Sequence, residues 1–317
     1  MKIGFIGLGN VGGKLAGNLL RNGFDLTVRD LNEQTLRPFI EKGAKFGESP
    51  KKMVESSDLV ITCLPSPSVS AAVMEDQDGI LSGMSAGKMW AEMSTTDEAE
   101  VIRLGEKVKN LEGEPLDCPV SGGCHRAATG NISILAGGER STFEKMLPVL
   151  KVLGRRILHT GKLGSASVLK VLTNYLATAN LVSLCEALTT AKKAGMDLNT
   201  TYEAIRISSG NSFVHETESQ VILNGSRDIN FTMDLVIKDV SLFQAIAERE
   251  GISLEISPLL IDIFKDGEKR YGSREWSPNI VRRLEESCET VVLASGFPDE
   301  IVDDEPEQSG EEVLVRR

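Results

Sequence analysis

Short apolar runs alternate with stretches of helical period through the first half of the chain. The runs Lys2–Ile6, Asp25–Asp30, Leu59–Leu64, Met89–Met93, Pro115–Val120, Ile132–Ala136 and Arg156–Thr160 read as strands. Between them, Val11–Arg21, Asn32–Lys42, Pro50–Ser56 and Ser94–Lys109 carry helical patterns. This alternation predicts a parallel sheet with right-handed helical crossovers, a doubly wound α/β domain over residues 1–163. The pattern changes after the turn Gly161-Lys162-Leu163-Gly164. From Ser165 to Ala194 the chain contains neither Gly nor Pro and then meets Gly195, which predicts one long helix. Helical patterns follow at Leu198–Ser208, His215–Leu223, Met233–Glu250, Pro258–Arg270 and Trp276–Ser287, so residues 164–292 are expected to form an all-α domain.

Residues 293–317 form an acidic tail. Asp299, Glu300, Asp303, Asp304, Glu305, Glu307, Glu311 and Glu312 come before its first base, Arg316. A segment with so little apolar surface is expected to stay solvated and flexible.

Composition narrows the class. The 317 residues are 41% hydrophobic and 26% charged, which excludes disorder and collagen-like repeats. The net charge of -11 would repel a phosphate backbone, so nucleic acid is excluded as a partner. The five cysteines, Cys63, Cys118, Cys124, Cys185 and Cys288, are scattered without CxxC spacing, which fits a reducing compartment and no zinc site. The opening MKIGFIGLGNVGG is too short and too glycine-rich for a signal peptide, and no run reaches the ~18 uninterrupted apolar residues of a membrane span. A cytoplasmic protein without a membrane partner is expected.

Two groups of residues carry candidate chemistry. Gly7-Leu8-Gly9-Asn10-Val11-Gly12 is a GxGxxG between a strand and an amphipathic helix, the setting of a dinucleotide diphosphate site. Gly7 permits the tight turn, Gly9 the approach of the diphosphate and Gly12 the close helix packing; the alternative is a plain strand-to-helix turn. Asp30 ends the second strand, where a carboxylate accepts hydrogen bonds from the adenosine ribose and repels a 2′-phosphate. NAD is therefore favoured over NADP, with Arg29 as the residue able to reverse that preference.

The second group begins at Asp117-Cys118-Pro119-Val120-Ser121-Gly122-Gly123, able to offer backbone N–H groups to a substrate carboxylate or simply to make a turn. Lys170 and Asn174 are four residues apart and share a helical face, a spacing suited to acid–base work on a small polar substrate. Lys170 lies among Val168, Leu169, Val171 and Leu172; the competing reading is a solvated surface lysine. Lys238, in Asp234-Leu235-Val236-Ile237-Lys238-Asp239, either closes over a cofactor or pairs with a carboxylate, Asp234 being the i,i+4 choice. His125, His159 and His215 lack ligand-spaced partners, which excludes a metal and leaves them structural. Ser121 lacks a GxSxG setting, and neither Cys118 nor Cys124 is expected at a helix start that would activate a thiolate, so hydrolase chemistry is not supported.

Together these blocks resemble the β-hydroxyacid dehydrogenase family, from residue 2 to about residue 290. GLGNVG, DCPVSGG continuing into ATGNISILAGG, GKLGSASVLKVLTNYL and DLVIKD follow in the family's order. The resemblance implies a Rossmann domain, a long connecting helix and an α-helical domain that helps form homodimers or homotetramers. It implies NAD-dependent oxidation of a small 3-hydroxy acid of the 3-hydroxyisobutyrate kind, bound between the domains. Lys170 would be the acid/base, Ser121, Gly122 and Gly123 would hold the substrate carboxylate, and Asn174 would orient the substrate. Gly7, Gly9, Asn10, Val11, Gly12, Asp30, Leu64, Pro65 and Thr95 would line the cofactor, and Lys238 would close on cofactor and substrate. Trp90, His125 and Arg126 depart from the family pattern and are expected to reshape the pocket near the substrate. A reductase of the same fold acting on glyoxylate, succinate semialdehyde or tartronate semialdehyde is the alternative. An imine reductase would lack the lysine, and a non-enzymatic NAD-binding protein would have lost it.

Overall fold

A computed structural model describes residues 1–315. The chain forms two units, residues 1–170 with the segment from Asp303 onward, and Val171–Val302. The first boundary thus falls seven residues later than the pattern predicts, inside the long helix, because that helix's opening turns are tied to the sheet.

In the first unit the strands are β1 Lys2–Ile6, β2 Asp25–Arg29, β3 Lys45–Phe46, β4 Leu59–Thr62, β5 Met89–Glu92, β6 Glu114–Asp117, β7 Val120–Ser121, β8 Ser133–Gly137, β9 Arg156–Gly161 and β10 Glu311–Glu312. They join in the order β10-β9-β8-β6-β5-β4-β1-β2-β3, with β7 paired to β8. From β6 to β3 every pair is parallel. Side chains alternate across the sheet. Ile3, Phe5, Leu59 and Ile61 face a core shared with Leu15 and Leu19 of helix Gly12–Arg21 and with Phe143 and Met146 of helix Arg140–Leu153. Val60 and Trp90 face the opposite core, with Met53, Met74 and Leu104. Both faces are covered by helices, the arrangement of a doubly wound Rossmann-type sheet.

Three expectations are corrected. The sheet is not parallel throughout, since β8 runs antiparallel to β6 and β7. Pro119 has no N–H to give a ladder, so the predicted strand Pro115–Val120 breaks into two. Ser121 then pairs with Ser133, and the short excursion between them returns β8 in the opposite direction. Trp90 is fully buried, its indole N–H donating to Thr62 Oγ1 at 2.9 Å, so it builds the core and no pocket.

The acidic tail is the third. Phe297 packs edge-on against Tyr202 in the second unit. In the first unit, β10 extends the sheet beside β9, and Glu312 pairs with Arg140. Repulsion that would keep such a segment solvated is offset by arginines along that edge, and the open edge of β9 supplies main-chain partners. Gly310 comes so close that a Cβ there would lie 2.0 Å from the Gly154 carbonyl oxygen.

The long helix, Ser165–Lys193, has 29 residues and spans about 43 Å at the α-helical rise. By length and apolar content it would suffice to cross a membrane. Its apolar residues Leu181, Leu184 and Leu188 instead belong to the core of the second unit, with Phe264, Val236 and Ile222. That unit is helical at Leu198–Arg206, Phe213–Asn224, Met233–Arg249, Ile256–Tyr271 and Arg282–Ser287, with a 3₁₀ turn at Ser277–Val281. His215 is buried and satisfied there, bonded to the Tyr202 carbonyl at 2.9 Å and Ser219 Oγ at 2.8 Å.

Candidate active site

β2, β1, β4, β5 and β6 are parallel neighbours, so the segments that follow them emerge at one edge of the sheet. Those segments hold Asp30, the glycine loop, Leu64-Pro65, Thr95 and Ser121 in that order.

The glycine loop is built by close crossings. Gly7 has φ +96°, and a Cβ on it would lie 2.2 Å from the Cys63 carbonyl oxygen. A Cβ on Gly12 would lie 2.1 Å from the Gly7 carbonyl oxygen. Only glycine satisfies these two positions. A Cβ on Gly9, by contrast, would meet no protein atom within 4 Å. Its side faces open space beside the start of helix Gly12–Arg21, with exposed Asn10 and half-buried Val11 next to it. Such a cradle fits a dinucleotide diphosphate, which needs backbone approach and a positive helix end. Asp30 crosses beneath the loop: Leu8 N donates to Oδ2 at 2.6 Å and Asn32 N to Oδ1 at 2.8 Å. Each oxygen retains accepting capacity for a ribose hydroxyl. Arg29, the residue able to reverse the cofactor preference, is engaged elsewhere. Its guanidinium donates to the carbonyls of Gly47 at 2.9 Å and Glu48 at 2.6 Å.

Leu64 is half-buried, Pro65 exposed and Thr95 half-buried. A relay that the sequence pattern missed organises them: Leu64 N donates to Ser94 Oγ at 2.7 Å, and Ser94 Oγ donates to Glu92. Ser94 N also donates to Glu92 Oε1 at 2.9 Å, and burial pushes the Glu92 carboxyl above its ordinary value. Residues 94–96 are loop, since the helix predicted from Ser94 begins at Glu98 behind the cap Asp97. That leaves Thr95 at the strand end instead of on a helix face.

Ser121 ends β7, and Gly122 and Gly123 adopt φ +130° and +86°, values that favour glycine and open helix Gly123–Thr129. Cys124 therefore does sit at a helix start, contrary to expectation. His125 folds back over the loop, its Cε1 2.7 Å from where a Gly123 Cβ would be, and burial lowers its pKa. Arg126 pairs with Glu305 of the tail at 3.5 Å.

Asp117, at the end of β6, connects this loop to Lys170. It is fully buried and accepts from Ser167 N at 2.7 Å and Ser167 Oγ at 2.8 Å. Burial raises its carboxyl to about 7 against the opposing effect of those hydrogen bonds. Ser167 lies three residues before Lys170, on the same side of the helix, so the anchor sets the rotation of the turn that carries the lysine. Lys170 is 8% exposed, which removes the reading of a solvated surface lysine. An ionisable residue inside the apolar strand 115–118 was the available signal for Asp117.

Asn174 lies one turn further along the long helix. In the second unit its amide donates to Asp239, and Lys238 Nζ forms an ion pair with the same carboxylate at 2.6 Å. Asp239 is 2% exposed and is the hub that the sequence reading passed over. The alternative partner Asp234 is occupied by Arg274 at 3.1 Å.

A dinucleotide cradle at the sheet edge, with a buried lysine on the following helix, defines a nicotinamide-dependent oxidoreductase acting on a CH–OH group. The model of the NAD-binding domain of 6-phosphogluconate dehydrogenase matches residues 2–161. The model of the NAD-binding domain of NADP-dependent 3-hydroxyisobutyrate dehydrogenase matches residues 164–284. The chain belongs to the β-hydroxyacid dehydrogenase family. It is 32% identical over 297 residues to 2-(hydroxymethyl)glutarate dehydrogenase of Eubacterium barkeri, covering 93% of this chain and 98% of the relative. It is 30% identical over 291 residues to an NAD-dependent L-serine dehydrogenase of Pseudomonas aeruginosa, covering 89% and 97%. In fold it is similar to the crystal structure of 3-hydroxyisobutyrate dehydrogenase from Salmonella typhimurium, with TM-score 0.82 and 24% identity over 89% of this chain and 99% of that one.

Proposed function

We infer that this protein uses NAD to oxidise a 3-hydroxypropanoate bearing a substituent at C2, giving the semialdehyde acid. The observation that carries the reading is the buried Lys170, set by Asp117 on the turn next to the strand that runs into Ser121-Gly122-Gly123. Both named substrates of the two relatives, 2-(hydroxymethyl)glutarate and L-serine, carry a CH₂OH group on the carbon that bears the carboxylate, which supports that substrate class.

Bound nicotinamide supplies the acceptor for the substrate's hydride. Lys170 Nζ takes the hydroxyl proton as the carbonyl forms, a transfer that exclusion of bulk water favours. Backbone N–H groups of the Ser121–Gly123 loop and the Ser121 hydroxyl hold the carboxylate. In this reading Asn174, its amide bonded to Asp239, orients the substrate, and Lys238, paired with the same carboxylate, serves cofactor and substrate. Asp30 selects NAD: its carboxylate receives ribose hydroxyls and repels a 2′-phosphate, while Arg29 is held by two carbonyls.

The test is initial-rate reduction of NAD and NADP at alkaline pH with 3-hydroxyisobutyrate, 3-hydroxypropionate, L-serine, glycerate, threonate and 2-(hydroxymethyl)glutarate. One C2-substituted acid with kcat/KM well above the others, and NAD preferred, is the expected result. No turnover with any of them, while NADH binds, would overturn the reading.

A further inference from the structure

Helix Gly123–Thr129 starts on the two glycines of the substrate loop, so the loop is only as well placed as this helix. Seven residues are too few for a helix to hold its own position. Two side chains of the dinucleotide helix fasten its end: Asn18 Nδ2 donates to the Ala127 carbonyl and Arg21 Nη2 to the Ala128 carbonyl, both at 2.9 Å. Further ties come from the C-terminal segment. Asp303 accepts from Thr129 Oγ1 and, at 2.7 Å, from Asn131 Nδ2, which also donates to the Glu305 carbonyl at 2.9 Å. The Glu305 carboxylate spans Arg126 at 3.5 Å and Arg155 at 3.2 Å. Further along, Gly310 N donates to the Lys151 carbonyl at 2.8 Å and Val313 N to the Ile157 carbonyl at 2.7 Å, so the segment is fastened at its far end.

We propose that residues 303–313 are a strap that positions the Ser121–Gly123 loop for substrate, with Asp303 as its principal positioning residue. The proposal rests on the assignment of that loop to the substrate carboxylate. Neither family model extends beyond residue 284, so the strap lies outside the segments they match. Exposed ion pairs such as Glu307 with Arg21 contribute little singly. Asp303 differs because two side-chain donors converge on one of its oxygens. Burial acts to raise its carboxyl, yet the bonds from Thr129 and Asn131 help hold it below the ordinary value, so it is ionised at neutral pH.

The experiment uses the full-length protein with Asp303→Ala, Asp303→Asn and, as a separate check of the loop, Ser121→Ala. In Asp303→Ala, amide hydrogen exchange over residues 122–131 should quicken about tenfold while that of residues 3–12 stays unchanged. KM for the hydroxy acid should rise about fivefold with kcat within about twofold and NADH affinity unaltered, the signature of lost ground-state placement. Asp303→Asn keeps one acceptor for Asn131 and should fall between. Unchanged exchange over 122–131 would overturn the strap. Faster exchange with unchanged KM, while Ser121→Ala raises KM, would overturn its role in positioning. If Ser121→Ala leaves KM unchanged, the loop's assignment to substrate fails and the effect on KM with it; exchange then decides alone whether the strap orders the helix.

Discussion

The glycine loop and the Ser-Gly-Gly loop leave the same edge of one sheet, yet they are held by opposite means. Residues 7–12 are fixed by backbone crossings of 2.1 and 2.2 Å to where a Cβ would stand, and almost no side chain participates except Asp30. Residues 117–131 are held by polar side chains that are distant in sequence: Ser167, Asn18, Arg21 and Asp303. The first kind of site follows from main-chain geometry, at Gly7 against the Cys63 carbonyl and at Gly12 against the Gly7 carbonyl. The second depends on each tether, those of the C-terminal segment among them.

The largest effect should come from a change that disturbs neither region. Lys170→Ala is expected to lower kcat by about 10²–10⁴-fold while NADH binding and Tm remain near wild type. Near-normal turnover in stopped assays would remove Lys170 from the mechanism.

Within the glycine loop, two substitutions should separate cleanly. Gly12→Ala drives a Cβ into backbone and should lower Tm by roughly 5–10 °C, corresponding to about 2–4 kcal/mol. Gly9→Ala meets no protein atom, so Tm should hold while NADH affinity falls about tenfold or more in fluorescence titration. Equal loss of Tm in both would erase the distinction between a structural and a ligand glycine.

For the tethered loop, Asp117→Ala should reduce kcat/KM about tenfold by releasing the turn that carries Lys170, and Asp117→Asn should recover most of it. The asparagine can still accept from Ser167 N, and the Ser167 hydroxyl can accept from its amide. The same pair reports on pH. Asp117 keeps its proton up to about 7 in the folded chain against an ordinary 3.8, so the folded state binds more protons within that window. Its contribution to stability therefore declines as pH rises from about 4 to about 7. Thermal melts across that range should be flatter for Asp117→Asn than for wild type; parallel curves would show that Asp117 titrates normally.

The smallest effect should be at Asp30, which joins the glycine loop through one hydrogen bond. Asp30→Ala should weaken NAD about three- to tenfold and NADP less, narrowing the ratio of kcat/KM between them. An unchanged ratio would refute the carboxylate as selector.

Local pattern determined a good deal of this protein. Alternating strands and helices announced the doubly wound unit, a thirty-residue stretch free of Gly and Pro announced the long helix, and Gly7, Gly9, Gly12 and Asp30 could be read as a set because the chemistry lies within one strand–helix–strand unit. What lay beyond it was decided by contacts between residues far apart in the chain. Asp117 with Ser167, Glu92 with Ser94 and Leu64, and Asp239 with Asn174 and Lys238 have no periodicity to betray them. Trp90 looked like a pocket residue until the register of β5 turned it into the core. The acidic tail looked solvated because composition counts its own charges and not those it meets; the fold supplied Arg126, Arg140 and Arg155, and an open strand edge, at distances only the tertiary structure could bring together.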